Sequence, residues 1–388
     1  MKIKWKGIAA ALSGIAVAAF GVAVLLRESR PRKVAAADDS MATTDSTATV
    51  PAWAPATVNK AAYNAKMLEL ANLPRCAPPS DTHSGLHVAA GMRLISTTSR
   101  SAAIATRKRA LPACAPRLWP VHTAYPDAGA LLPFKRIVAY YGNFFVSRMG
   151  VLGQYPPDQV LAMLKAQAAA WAKADPSTPV IPALDYIVVA AQDVPGRSGK
   201  YMMRMPPGQI EKAIDMADQI HGLVFLDVQP GWSTVQAEVP RLAPYLRRAN
   251  VELALDPEFA LKVGKRPGNW RGTMSASDIN FAARFLAKIV RENHLSPKIL
   301  VVHRFTQGMV TDYRAIKPLP EVEVVMDMDG FGSPPLKVAT YKDFIASQPV
   351  QFTGFKLFYK NDVKWGGRLM TPQQVLRLSP QPSFILYQ

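Results

Sequence analysis

Beyond residue 134 the chain alternates between short apolar runs and segments whose apolar residues recur with a helical period. The runs predict strands over Arg136 to Tyr141, Val180 to Ala190, Gly222 to Val228, Val251 to Asp256, Ile299 to His303, Glu323 to Asp327, Thr353 to Tyr359 and Ser383 to Tyr387. Helical patterns fall between them, over Pro157 to Lys173, Pro206 to Ile220, Val235 to Arg248, Ala276 to Glu292, Val310 to Ile316, Tyr341 to Ser347 and Pro372 to Leu378. Start signals such as Pro157 with Asp158 and Ser277 with Asp278 support several of these helices. Strands that alternate with helices in this way predict an α/β fold, a (β/α)8 TIM barrel that lacks a C-terminal eighth helix. A further helical pattern, Asn59 to Asn72, is expected to fill that gap between the last strand and the first.

The apolar runs share a second property. Most of them end in an ionisable residue: Asp185 in PALDYIVV, Asp227 in LVFLDVQPG, Asp256 and Glu258 in LALDPEF, His303 in ILVVHRF, Asp327 and Asp329 in VEVVMDMDGFG, and Lys356 in TGFKLFY. A buried strand has no structural need of a charge, and an unpaired charge in a low-dielectric interior is costly. In a parallel barrel these strand ends meet at one face, so the series predicts one pocket.

Residues two apart on a strand share a face, which pairs Asp256 with Glu258 and Asp327 with Asp329. Paired carboxylates suit glycoside hydrolysis, in which one protonates the leaving oxygen and the other attacks carbon or activates water. Asp256, Asp327 and Asp329 are therefore the candidate catalytic residues. Asp185, Asp227, Glu258, His303, Lys356 and Tyr359 are candidates for binding or positioning substrate, with Trp232, Trp270 and Phe331 offering aromatic faces to a sugar. The DxD pair with His303 could also bind a divalent cation, but no metal is assigned and no cofactor is expected. There is no GxSxG elbow or P-loop, and GFG at Gly330 to Gly332 lacks dinucleotide-binding spacing.

The segment before residue 134 divides into an anchor or uncleaved signal (1–33), a flexible linker (34–58) and a loop-rich extension with one helix (59–133), ahead of the barrel domain (134–388). Uncharged residues Gly7 to Leu26 are numerous enough to cross a bilayer, which predicts a single membrane anchor with the globular part in the periplasm or outside the cell, or a secreted chain if the anchor is cleaved. Cys76 and Cys114, each flanked by Pro, are candidates for a disulfide in such an oxidising compartment. The net charge is +18, yet the basic residues are scattered without interleaved aromatics, so no nucleic-acid partner is expected. An anionic surface or acidic glycan fits that charge better.

The motifs GVLGQYP, PALDYI, LDVQPG, LALDPEF, VVHRF, MDMDGFG and KLFY resemble a group of uncharacterised bacterial envelope proteins with a TIM-barrel, glycoside-hydrolase-like domain. The resemblance covers residues 134 to 388 and implies a carbohydrate or envelope polysaccharide as partner. Acidic groups at strands four and six are also similar in position to those of alpha-galactosidase-like hydrolases, which implies Asp256 as nucleophile and Asp327 or Asp329 as acid. The expected function is thus a membrane-anchored carbohydrate-active hydrolase. The alternatives are a noncatalytic glycan-binding or scaffold protein on the same barrel, and a metal-dependent hydrolase or phosphodiesterase.

Overall fold

A computed structural model describes residues 57–73, 118–364 and 366–388. Eight strands form its centre: β1 (Arg136–Gly142), β2 (Val180–Ala191), β3 (Leu223–Val228), β4 (Val251–Leu255), β5 (Lys298–Arg304), β6 (Val322–Met328), β7 (Phe352–Leu357) and β8 (Phe384–Tyr387). Each pairs in parallel with the next, and β8 returns to pair with β1, so the sheet closes. Closure buries both strand faces, which is why these segments read as continuous apolar runs rather than as alternation. The predicted barrel is therefore present, with strand boundaries within two residues of those expected.

Pleating decides which side chains line the interior. Phe225 of β3 and Phe384 of β8 meet there edge to face at 5.1 Å, while one turn of pleat higher the same strand contributes Asp227. Tyr140, next to the inward Tyr141, instead faces out, against Tyr359 and Tyr387.

The helical layer departs from expectation where proline or left-handed backbone intervenes. Long helices follow β1 and β4, over Pro157–Ala174 and Ala276–Asn293, and a third, Pro207–Asp218, follows β2. The expected helix at 235–248 is broken into short turns, Val235–Glu238, Val239–Leu242 and Ala243–Leu246, because Pro240 and Pro244 each remove a donor. The segment expected as a helix over 310–316 instead holds a two-residue strand, Val310–Thr311, parallel to Met274–Ser275, and then a 3-10 turn, Tyr313–Ala315. Asp312, with φ of +56°, separates them. The buried Arg304 guanidinium gathers the carbonyls of Thr306, Gln307 and Val310, which fixes this loop in place of a helix.

The helix Lys60–Ala71 does not fill the space between β8 and β1. It packs under the barrel, where Leu70 accepts from the Gln381 amide and Asn72 donates to the carbonyls of Leu376 and Leu378. Tyr63 on the same helix packs against Phe134, just before β1. The flank beside β8 is covered by the helix that follows β1, whose Gln167 and Trp171 both donate to the Tyr387 hydroxyl, at 2.7 and 2.9 Å.

Expectations of membrane attachment are corrected here. Among the described residues, no helix is long and apolar enough to cross a membrane. The apolar segment Gly7 to Leu26, the linker up to residue 56, Cys76 and Cys114 lie outside the described residues.

Candidate active site at the carboxyl end of the barrel

The strand ends bring most of the predicted polar residues to one place. Asp185, Asp227, His303 and Asp327 are fully buried, and Asp256 and Lys356 almost so. The register explains the meeting: Asp327 lies beside His303 on one flank and Gly354 on the other, and Tyr141 lies beside Asp185. Gly354 has a steric reason to be glycine, since a Cβ there would sit 2.4 Å from Asp327 Oδ1.

Three groups of contacts organise the cluster. His303 Nδ1 meets Asp327 Oδ2 at 3.0 Å, while His303 Nε2 faces Asp185 Oδ2 at 3.8 Å, beyond hydrogen-bond reach. Tyr141 donates to Asp227 Oδ2 at 2.8 Å and accepts from Gln229 Nε2 at 3.0 Å; the same amide lies 3.3 Å from Asp256 Oδ2. Lys356 pairs with Asp329 Oδ1 at 3.1 Å, its ammonium also lying 3.6 Å from the centre of the Tyr141 ring.

Beyond β4 the strand pattern ends at once. Pro257 cannot continue a ladder, and Asp256 accepts from the Glu258 amide, opening the 3-10 turn Pro257–Phe259. Asp256 is thereby held in the barrel, whereas Glu258 is carried up to a partly exposed position near Asp329 and Arg271.

Electrostatics separate these groups. Burial, together with the charge of Asp227, holds the Asp185 and Asp256 carboxyls well above the usual carboxylate range. Burial also raises Asp227 and Asp327. For His303 burial alone would lower the pKa, but the Asp327 bond and the charges of Asp329 and Asp227 outweigh it and push it up to about 10. Glu258 is pushed up to about 7 by burial and by Asp329, against the pull of Arg271 and Lys356.

Some predicted residues lie apart from this cluster. Tyr359 belongs to the outer aromatic group, hydrogen-bonded to the Tyr140 hydroxyl at 3.1 Å and stacked on Tyr387. Trp232 donates to the Lys265 carbonyl and packs on Tyr201, tying together the loops that follow β2, β3 and β4. Trp270 is half exposed with the Lys265 ammonium over its face, and Phe331 packs edge-on against Phe358. The loop after β4 exposes Lys262, Lys265, Arg266 and Arg271, and that after β7 exposes Lys360 and Arg368. The mouth is thus acidic within and basic at its rim.

Two members escaped the sequence reading, Tyr141 and Gln229. Gln229 stands two residues after Asp227, so the spacing rule that paired Asp256 with Glu258 also reaches it. Tyr141 carried no comparable signal, being one of two adjacent tyrosines in a strand.

No family model matches the chain, and no curated protein matches it. Among solved structures, a mutant form of Thermotoga maritima Cel5A in complex with cellobiose aligns at 7% identity and a TM-score of 0.38, covering 66% of this chain and 88% of that one. A putative alpha-L-fucosidase from Bacteroides thetaiotaomicron aligns at 7% identity and 0.37, covering 71% and 91%. The mannanase Man26 of Bacillus subtilis aligns at 11% identity and 0.32, covering 66% and 79%. At these scores the likenesses carry no argument about the reaction, and the barrel rests on its own strand pairing.

Proposed function

We propose that the chain is a carbohydrate-active hydrolase in which Glu258 is the proton donor and Asp329 the partner carboxylate, as nucleophile or as base toward water. The observation that carries this reading is the placement of two carboxyl groups of unlike surroundings above the same barrel mouth. Burial and the nearby Asp329 push Glu258 up to about 7, so that a share of it keeps its proton at neutral pH, and Asp329 is ion-paired with Lys356. A carboxyl raised toward neutrality beside a lysine-paired carboxyl meets the needs of glycosidic cleavage.

Burial sets the remaining assignments in the proposal. Asp256 and Asp327, expected from the sequence to act directly, lie beneath the rim, where Asp256 holds the Glu258 turn and Asp327 orients His303. Asp185, Asp227 and Lys356 set the field beneath the sugar. Trp270 is half exposed beside the Lys265 ammonium, and the basic rim favours an acidic glycan over a neutral one.

Turnover of acidic and neutral polysaccharides by the full chain, followed as released reducing ends, tests this. Release that is greater from acidic polymers and lost in both Glu258→Gln and Asp329→Asn supports the reading. Saturable glycan binding without release by the parent chain identifies a noncatalytic glycan-binding protein and overturns it.

A further inference from the structure

Beneath the proposed catalytic pair, several buried polar atoms converge without protein partners. Among the described residues, neither oxygen of Asp185 accepts a hydrogen bond, nor does Oδ1 of Asp227, and Nε2 of His303 has no partner. All three side chains are fully buried, and one donor atom from each lies within 4.8 Å of the others. Orphaned buried polar atoms are rare in folded proteins, since each forfeits its hydration without return.

We infer that Asp185, Asp227 and His303 form a binding site for a divalent transition ion of the Zn2+ or Mn2+ class. Three independent features support this. The imidazole is oriented as a ligand is: Nδ1 is engaged by Asp327, which fixes the ring and leaves Nε2 directed at the site, the carboxylate–histidine relay common behind metal-bound histidines. Asp227 is anchored in the same way, its Oδ2 held by Tyr141 while Oδ1 remains for coordination. The donor set, two carboxylates and one imidazole, suits a borderline ion better than an all-oxygen site would.

Distances agree with this assignment. Ligands about 2.0–2.2 Å from an ion span at most about 4.4 Å across it. The three donor atoms lie within 4.8 Å of one another, so an ion would draw the carboxylates inward.

A second proton on His303 is the competing explanation, and geometry disfavours it. An Nε2–H at 3.8 Å from Asp185 would not make a hydrogen bond, and it would leave Asp185 Oδ1 and Asp227 Oδ1 as unpartnered as before. Lys356 does not supply the missing contact either, being engaged with Asp329 and with the face of Tyr141. An ion satisfies all three donors together.

The inference does not rest on the glycan reading, and its test reads binding rather than turnover. Full-length chain is stripped with chelator and titrated calorimetrically with ZnCl2 and with MnCl2. One equivalent should bind, with affinity reduced at least tenfold in Asp185→Asn and His303→Gln, and roughly 10- to 100-fold in Asp327→Asn, which removes only the support behind the imidazole. The DTHSGLH segment carries His83 and His87 four positions apart in sequence, so the double variant His83→Gln with His87→Gln controls for an adventitious ion and should bind as the parent does. Because a cluster variant can fail to fold, the parent is also loaded with Co2+. A visible d–d band and one strongly shifted exchangeable imidazole proton should follow. Absence of binding or of those Co2+ signatures, binding unchanged in folded Asp185→Asn, or binding abolished by the His83 and His87 changes overturns the assignment.

Discussion

Both ends of this barrel bury carboxyl groups, but only one end completes them. At the amino-terminal end Glu323 accepts from the amides of Leu131 and Leu132, at 3.0 and 2.8 Å, and Glu252 accepts from the Ile299 amide at 2.6 Å. Lys298 nearby is saturated by the carbonyls of Arg248, Ala249 and Val251. At the carboxyl end, Asp185, Asp227 and Asp327 retain oxygens that no protein group meets. Burial of an acid is therefore not a signature of function. What distinguishes the two ends is whether the fold supplies partners, because a satisfied buried carboxylate serves packing while an unsatisfied one is a cost that selection for stability alone would remove.

The largest effect should come from the mouth. Replacing Glu258 by Gln removes the proton donor and should reduce glycan turnover by about 10²- to 10⁴-fold, the usual worth of a positioned acid. Glu323→Gln, at the other end of the same barrel, should leave turnover near that of the parent when both are assayed well below their melting temperatures. Equal losses in the two variants would erase the functional distinction between the ends.

Stability should show the opposite ranking. Glu323→Ala strands the buried Leu132 amide and the partly buried Leu131 amide, at about 1–3 kcal/mol for the first, and should lower the unfolding free energy measured in urea accordingly. Asp185→Asn replaces a buried carboxyl that has no hydrogen bond to lose, so its change should lie within about 1 kcal/mol of zero or be stabilising. A cost for Asp185→Asn matching that of Glu323→Ala would mean that the two ends are equally satisfied.

Acidity gives a subtler test. Burial pushes Glu323 up to about 8 from its ordinary 4.5, against the two amide bonds that pull it down. The folded chain thus keeps a proton that the unfolded chain releases, and stability should fall as pH rises from about 4.5 toward 8. Thermal unfolding across that range should show the decline, and Glu323→Gln should make it shallower. In the same window Glu258, raised to about 7, loses the proton it would donate, so turnover should drop above neutrality. A steep alkaline rise in either quantity contradicts these assignments.

Much of this arrangement was legible in the chain, and the limits have physical causes. Parallel barrel strands are buried on both faces, so they stand out as apolar runs, and an Asp or Lys within one is conspicuous. Asp185, Asp227, His303, Asp327 and Lys356 were read in that way and do converge. Hydrogen-bond completion, by contrast, depends on residues distant in sequence: nothing local separates Glu323, bonded to residue 131, from Asp327 on the same strand. The location of the Lys60–Ala71 helix was hidden for the same reason, since its periodicity reports an apolar face but not which surface covers it.

Tyr359 extends the contrast between completed and uncompleted groups from the barrel ends to its wall, and carries the smallest predicted effect. Its position just beyond β7 suggested a contact with substrate, yet the side chain turns outward, bonds Tyr140 and stacks on Tyr387. It resembles the acids at the barrel floor, a partly buried polar group satisfied by neighbours. Tyr359→Phe keeps the stacking and removes the hydroxyl's bonds to Tyr140 and Gln167, so it should cost about 1 kcal/mol of stability while leaving both kcat and KM for glycan unchanged. A rise in KM with the melting temperature unaltered would return Tyr359 to the substrate side and show that partner satisfaction fails as a guide to which polar residues of this barrel act on a ligand.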